Sequence, residues 1–191
     1  MEEGGILSAS GADYLPERGS MKIQKLTVEN RPRVYALLRL AFPNREFEAR
    51  LVEQLHENDR PVHEWVCLHA NRIIAYVVFS NAYNGEVCGL HLGPMAVTPD
   101  FQRQGVGTEL LGFVLRQEQI KSQPIYVHGK PGYFGKFGFE PCSSPICPFD
   151  KDNAHFLSMR NNAEVSFMVG YEPEYQPAPR PDPKKVKRRS R

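Results

Sequence analysis

The stretch Leu92 to Leu115, LGPMAVTPDFQRQGVGTELLGFVL, constrains this chain more than any other part of it. An apolar strand (Met95-Ala96-Val97) runs through a proline turn at Pro99 into Q-R-Q-G-V-G, and an amphipathic helix follows with Leu110, Leu111, Val114 and Leu115 on its buried face. Gly105 and Gly107 carry no Cβ, so backbone N–H groups there can approach an oxyanion closely. The first turn of a helix adds unsatisfied N–H groups and the positive end of the helix dipole. Such a turn holds a diphosphate without a metal. The plain alternative is a tight turn that needs two glycines.

Two better-known phosphate sites are excluded by spacing. A dinucleotide fingerprint requires a third glycine where Leu110 stands, and a P-loop requires G-K-[ST] where Gly107 is followed by Thr108 and Glu109. The rest of the chain supplies an α/β pattern. Lys22 to Val28 alternates as a strand, and helices follow from Glu29 or Asn30 and from a cap at Asn44. Strands are expected over Glu64–His69, Arg72–Phe79 and Glu86–Val97, with turns at Asn71 and at Asn84-Gly85. Then come a helix over Gln104–Gln119, a strand over Ile125–His128, a short helix near Gly132–Phe137, and strands near His155–Met159 and Val165–Val169. That order, β-α-α-β-β-β-α-β-α-β-β, describes one α/β domain with a mixed sheet.

Gln102, Gly105 and Gly107 with the strand and turn before them resemble motif A of the GNAT superfamily, [QR]-x-x-G-x-[GA]. Tyr133-Phe134-Gly135-Lys136-Phe137-Gly138-Phe139 looks like the family's motif B, in which a short helix ends in Gly-Phe. From Gly129 onward the string resembles a branch of predicted bacterial-type acetyltransferases. The resemblance spans about Lys22 to Tyr171. It implies a single domain whose largely antiparallel sheet, flanked by helices, is splayed between two parallel strands, those at Met95–Val97 and Ile125–His128. It also implies acetyl-CoA as co-substrate and no metal. The pantetheine arm is then expected against the backbone of Met95, Ala96 and Val97, with Phe134 nearby. The diphosphate is expected on the amides of Arg103, Gln104, Gly105, Val106, Gly107 and Thr108, within reach of the Gln102, Arg103 and Gln104 side chains.

Direct transfer to an amine needs a base, because an alkylamine of pKa near ~10.4 is mostly protonated at neutral pH. Glu86 and His91, at or near the start of the splayed strand, are the candidates, against the plainer readings of a hairpin-end charge and a sheet-facing ring. The acid departs from the family's pattern. The tyrosine that protonates the leaving thiolate sits four residues before the motif B glycine, and Phe134 occupies that place. Tyr133 lies one residue earlier, about 100° round a helix, and is the candidate substitute. Without an acid, a thiolate of pKa near ~8.5 still leaves.

Charge is uneven. Arg180 to Arg191 carries +6, Met1 to Ser20 carries −3, and the stretch between is near neutral, which gives the domain no footprint for nucleic acid. Residues 1–20 read as a flexible leader, 21–171 as the acyltransferase domain, and 172–191 as a Pro-rich basic tail. Cys67, Cys88, Cys142 and Cys147 read as inert thiols. With no membrane-length apolar run and no signal-like N-terminus, the expected compartment is the cytoplasm, the basic tail leaving a nuclear alternative open. Expected partners are a small-molecule or peptide amine, with Pro43–Arg60 and Asn81–Gly85 lining its pocket, and a second copy in a homodimer. An acyl-CoA sensing module without catalysis is the alternative that Phe134 suggests. A tail-led interaction protein using the domain as scaffold is the third.

Overall fold

A computed structural model describes residues 21–43, 45–150 and 152–176. The leader, the Asn44 cap and the basic run of the tail lie outside the described residues. Seven strands form one sheet in the order β1-β2-β3-β4-β5-β7-β6. They are β1 (Lys22–Lys25), β2 (Val62–His69), β3 (Arg72–Asn84), β4 (Glu86–Val97), β5 (Ile125–His128), β6 (Glu140–Pro141) and β7 (Phe156–Met159). All neighbours are antiparallel except β4 and β5. This is the mixed sheet that the motif resemblance implied.

The β2–β3 hairpin turns on Ala70 and Asn71, at φ 45° and 62°. Positive φ at both central residues matches the strand twist, and asparagine tolerates it. β3 is buried from Ile73 to Ser80 because helices cover both faces of the sheet. Helix α3 (Val106–Val114) packs Val106, Leu110, Leu111 and Val114 against Ile74, Val77 and Phe79. On the other face, α1 (Arg31–Ala41) and α2 (Phe47–Glu57) supply Val34, Leu37, Leu38, Ala49 and Val52 to a second cluster with Ile73, Tyr76 and Val78. A buried polar chain also ties the helices to the sheet: Tyr35 Oη lies 2.7 Å from His56 Nδ1, and His56 Nε2 lies 2.9 Å from Glu64 Oε1.

Several expected boundaries move. β1 is shorter because the chain turns at Val28–Asn30. β3 runs on to Asn84. Helix α3 starts only after Gly105, at φ 87°, and ends at Val114. The short helix is Pro131–Phe134 (α4) followed by a 3-10 turn, Gly135–Phe137. Val165–Val169 is not a strand; it makes one isolated bridge, Ile146 to Met168. Both edges of β7 are already taken, by β5 and by the unforeseen β6, so no edge is left for it there.

The packed region also passes the expected limit at Tyr171. Pro173–Tyr175 forms a 3-10 turn in which Glu174 and Tyr175 are buried. Tyr175 packs on Leu51 and Leu55 of α2. Its hydroxyl donates to Gly93 O at 2.6 Å and accepts from Ser80 Oγ at 3.1 Å. Glu172 accepts from Tyr83 Oη at 2.6 Å, and Arg60 reaches both Glu172 and Glu174. A proline-rich composition hid these anchors.

Candidate functional site

The site begins with a defect in β4. Val77 pairs with Met95 and Phe79 with Leu92, so two residues of β4, Gly93 and Pro94, oppose one of β3, Val78. Pro94 has no N–H to give the ladder, and a bulge there bends the strand. Upstream of it, Leu90 and His91 pair with Ile125 and Tyr126 of β5; the pairing ends after these two. Beyond the bulge the two parallel strands part.

A cavity of about 850 Å³ fills the gap. Met95, Ala96 and Val97 line it from β4, Tyr133 and Phe134 from α4, and Phe42 and Phe101 complete the apolar part. Gln102, Arg103, Gly105, Gly107 and Thr108 form its other end, where α3 begins. Lys130 and Lys136 also line the cavity, and none of the lining residues is acidic. An apolar slot thus leads to a helix N-terminus, and every charged residue of its lining is a cation. That arrangement fits a long ligand with an anionic end.

The loop before α3 is held by its own side chains. Gln102 Nε2 donates to Val97 O at 2.9 Å, and Gln104 Nε2 donates to Asp100 O at 2.7 Å. Both glutamines, read from sequence as phosphate ligands, therefore brace the loop, and Gln104 stays out of the cavity lining. Val106 turns its side chain into the core, at 3% exposure, leaving only its amide for the turn. Arg103 sits at φ 59°, a left-handed conformation that gives the loop its sharp reversal.

Tyr133 crosses the gap. Its hydroxyl faces the Thr108 side chain, and burial holds the phenol above its ordinary pKa. Phe134 instead points into the core, edge-on to Phe139 with centroids 5.6 Å apart. It lies so close to Gly129 that a Cβ there would fall 2.3 Å from its ring. Of the two aromatics, Tyr133 is the one that brings a hydroxyl into the cavity, between Gly107 of α3 and Met95 of β4.

The two candidate bases part company. Glu86 is exposed at the β3–β4 hairpin tip, away from the cavity lining. His91 alternates with Leu90 and Leu92 and so faces away from α3. It is 6% exposed, and its Nδ1 has no hydrogen-bond partner. Tyr171 and Tyr175 stand edge-on to it at 4.4 and 4.7 Å. Burial, with a smaller contribution from His128, pushes the imidazole down to about 3, so His91 is neutral at pH 7.

The buried imidazole makes the fold sensitive to acid. Between pH 6.5 and about 3 the unfolded chain protonates His91 and the folded chain does not. Stability therefore falls as pH drops through that window. Removing the group in His91→Leu should shrink the loss between pH 7 and pH 5 by about 2 kcal/mol. Urea melts at the two pH values measure it, and an identical loss in both proteins would refute a buried neutral imidazole.

On the same side of the sheet, a second cavity of about 510 Å³ lies between α2 and the C-terminal turn. Phe47, Arg50, Gln54, Asn58 and Arg60 line it, within the segment expected to hold an acceptor, but Pro173, Glu174 and Gln176 replace the expected hairpin Asn81–Gly85. Sequence reading also missed Lys130 and Lys136, whose signal was their position on either side of the motif B aromatics.

Comparison with known proteins agrees with the geometry. The GNAT acetyltransferase family model matches residues 31–123, from the start of α1 to the end of the turns after α3. The chain has the GNAT acetyltransferase fold. Among solved GNAT structures, YhbS from Escherichia coli in complex with CoA superposes with a TM-score of 0.74, at 24% identity over 81% of this chain and 91% of that one. A GNAT acetyltransferase from Brucella melitensis in complex with acetyl-CoA gives 0.69, at 21% identity over 82% of this chain and 99% of that one. The N-acetyltransferase YjhQ of E. coli K12 is 31% identical over 103 residues, which is 50% of this chain and 57% of YjhQ. The GNAT chain thus spans little more than half the length of that curated relative. Among the described residues no helix is long and apolar enough to cross a membrane.

Proposed function

We propose that this GNAT protein transfers an acetyl group from acetyl-CoA to a primary amine of a small molecule or peptide, by direct attack in a ternary complex. The observation that carries the reading is the slot between β4 and β5, lined by apolar side chains, reaching the first turn of α3, and charged only by Arg103, Lys130 and Lys136. Two proteins of the same fold were crystallised with CoA and acetyl-CoA.

In this reading the diphosphate lies on the amides around Gly105 and Gly107, and the pantetheine arm runs along Met95–Val97. A backbone N–H of the splayed strand polarises the thioester carbonyl. The amine nitrogen attacks that carbon, the C–S bond breaks, and the amine proton leaves through water to solvent. Tyr133, protonated at neutral pH, gives the thiolate its proton and recovers one from water. The acceptor approaches from the side of His91 and the C-terminal turn.

Thiol release with acetyl-CoA across a panel of amines tests the proposal. Tyr133→Phe should lower kcat by about a hundredfold or more, the scale of a positioned acid. The coenzyme A dissociation constant should change little. Phe134→Tyr should add little, since its ring is wedged against Gly129 and Phe139. An unchanged kcat in Tyr133→Phe would remove the acid assignment. Phe134 favours one rival, a donor-sensing module: coenzyme A binding without thiol release from any amine would replace catalysis with sensing.

A further inference from the structure

The geometry points to a metal site at the far end of β5, formed by His128, Asp150 and His155, for a divalent ion of the zinc class. One ligand atom of each residue lies within 4.8 Å of the others. Ligands at 2.0–2.2 Å from a common ion stand no more than about 4.4 Å apart, so small side-chain rotations close the set.

The backbone brings the three together. His128 is the last residue of β5, and the antiparallel register sets it opposite Phe156. Gly129 N–H donates to His155 O at 2.9 Å, which fixes the two histidine backbones side by side. Asp150 arrives on the loop between β6 and β7. Its Oδ2 accepts the His155 N–H at 2.8 Å and lies 3.7 Å from His128 Nε2. Asn153 pins that loop, donating to Cys142 O and Pro145 O and accepting from Cys147 N–H. The imidazole rings are 5.9 Å apart and tilted by 56°.

Two imidazoles and a carboxylate suit zinc, nickel or cobalt, whereas magnesium and calcium select oxygen ligands. Both histidines are exposed, so water completes the coordination shell. A bound ion would clamp the end of β5 to the loop and to the start of β7. Gly129, which backs Phe134, and Lys130, which lines the donor cavity, follow directly. The site is therefore a brace for one wall of that cavity, separate from the place of donor binding and independent of the transfer reaction. Chain separations of 22 and 5 residues concealed it from the sequence pattern.

Calorimetry of the chelator-stripped full chain with zinc chloride alone is the test. One ion should bind per chain and raise the melting temperature, while magnesium and calcium at the same concentration should do neither. His128→Ala and His155→Ala should each weaken zinc binding at least tenfold. Asp150→Asn, which keeps an oxygen for the His155 N–H but loses the charge, should weaken it as well. Cobalt should give visible d–d bands without the near-ultraviolet absorption of a thiolate ligand, a reading that needs no variant to fold. No zinc binding, unchanged affinity in the folded His128→Ala/His155→Ala protein, or a thiolate band would each overturn the site.

Discussion

Replacing Gly107 with valine should abolish measurable coenzyme A binding while leaving a folded protein. The backbone at Gly107 is helical, so valine meets no forbidden angle. Its Cβ, however, would lie 3.1 Å from Tyr133 Oη, 3.2 Å from Met95 Cε and 3.3 Å from Val97 Cγ2. Those atoms belong to the floor and the crossing tyrosine of the cavity. The side-chain ends can give way, at about 1–3 kcal/mol. They can move only into the space the donor needs. Binding should weaken by at least about a hundredfold, roughly 2.8 kcal/mol. Gly105→Val acts differently. A Cβ there meets nothing within 4 Å, but the residue sits at φ 87°. Strain of about 1–2 kcal/mol is expected from the left-handed backbone, together with lost affinity because the branches stand in the open cavity. Gly112→Ala, in the same helix with only ordinary contacts at 3.8 and 3.9 Å, is the control that should bind normally. Calorimetry with coenzyme A, with circular dichroism as the check on folding, reads all three. Wild-type affinity in Gly107→Val would place the donor elsewhere.

Ending the chain after Tyr171 should destabilise the domain by at least about 3 kcal/mol, the scale of emptying one large aromatic site. For a protein of this size that is roughly 6–12 °C in Tm. The cut removes Tyr175 from its seat on Leu51, Leu55 and His91. It also strips Arg60 of Glu172 and Glu174, and leaves the Tyr83 hydroxyl without its acceptor. Ending the chain after Gln176 removes the basic run and should leave both Tm and turnover unchanged. Tyr175→Ala in the full chain should reproduce most of the loss. Equal melting of the two truncated proteins would show that the C-terminal turn contributes nothing to the fold.

The donor half of the site was legible because it is local. Strand, turn, glycines and helix are contiguous from Leu92 to Leu115, and backbone geometry imposes their spacing. The side of the sheet that carries His91 was not. His91 could be named, but its burial comes from Tyr171 and Tyr175, some 80 residues away. Nothing in Glu172-Pro173-Glu174-Tyr175 distinguishes an anchored turn from a solvated tail until Arg60, Ser80 and Gly93 are brought beside it. Glu86 shows the reverse case: a carboxylate at a suitable place along the chain that the hairpin carries away from the cavity.

Periodicity and turn residues determined the layered α/β order and the glycine turn before α3, because each is set by residues close in sequence, and the two motifs implied the parallel pair of strands. Tertiary structure alone decided that the Phe134 ring wedges against Gly129 and Phe139 while Tyr133 reaches towards Gly107 of α3. It decided that Gln102 and Gln104 brace the loop. It also decided that residues 172–176 pack against α2 and His91. The physical reason is the same throughout. Side-chain direction and desolvation are set by whatever packs opposite, and in this sheet the opposing residues come from distant parts of the chain.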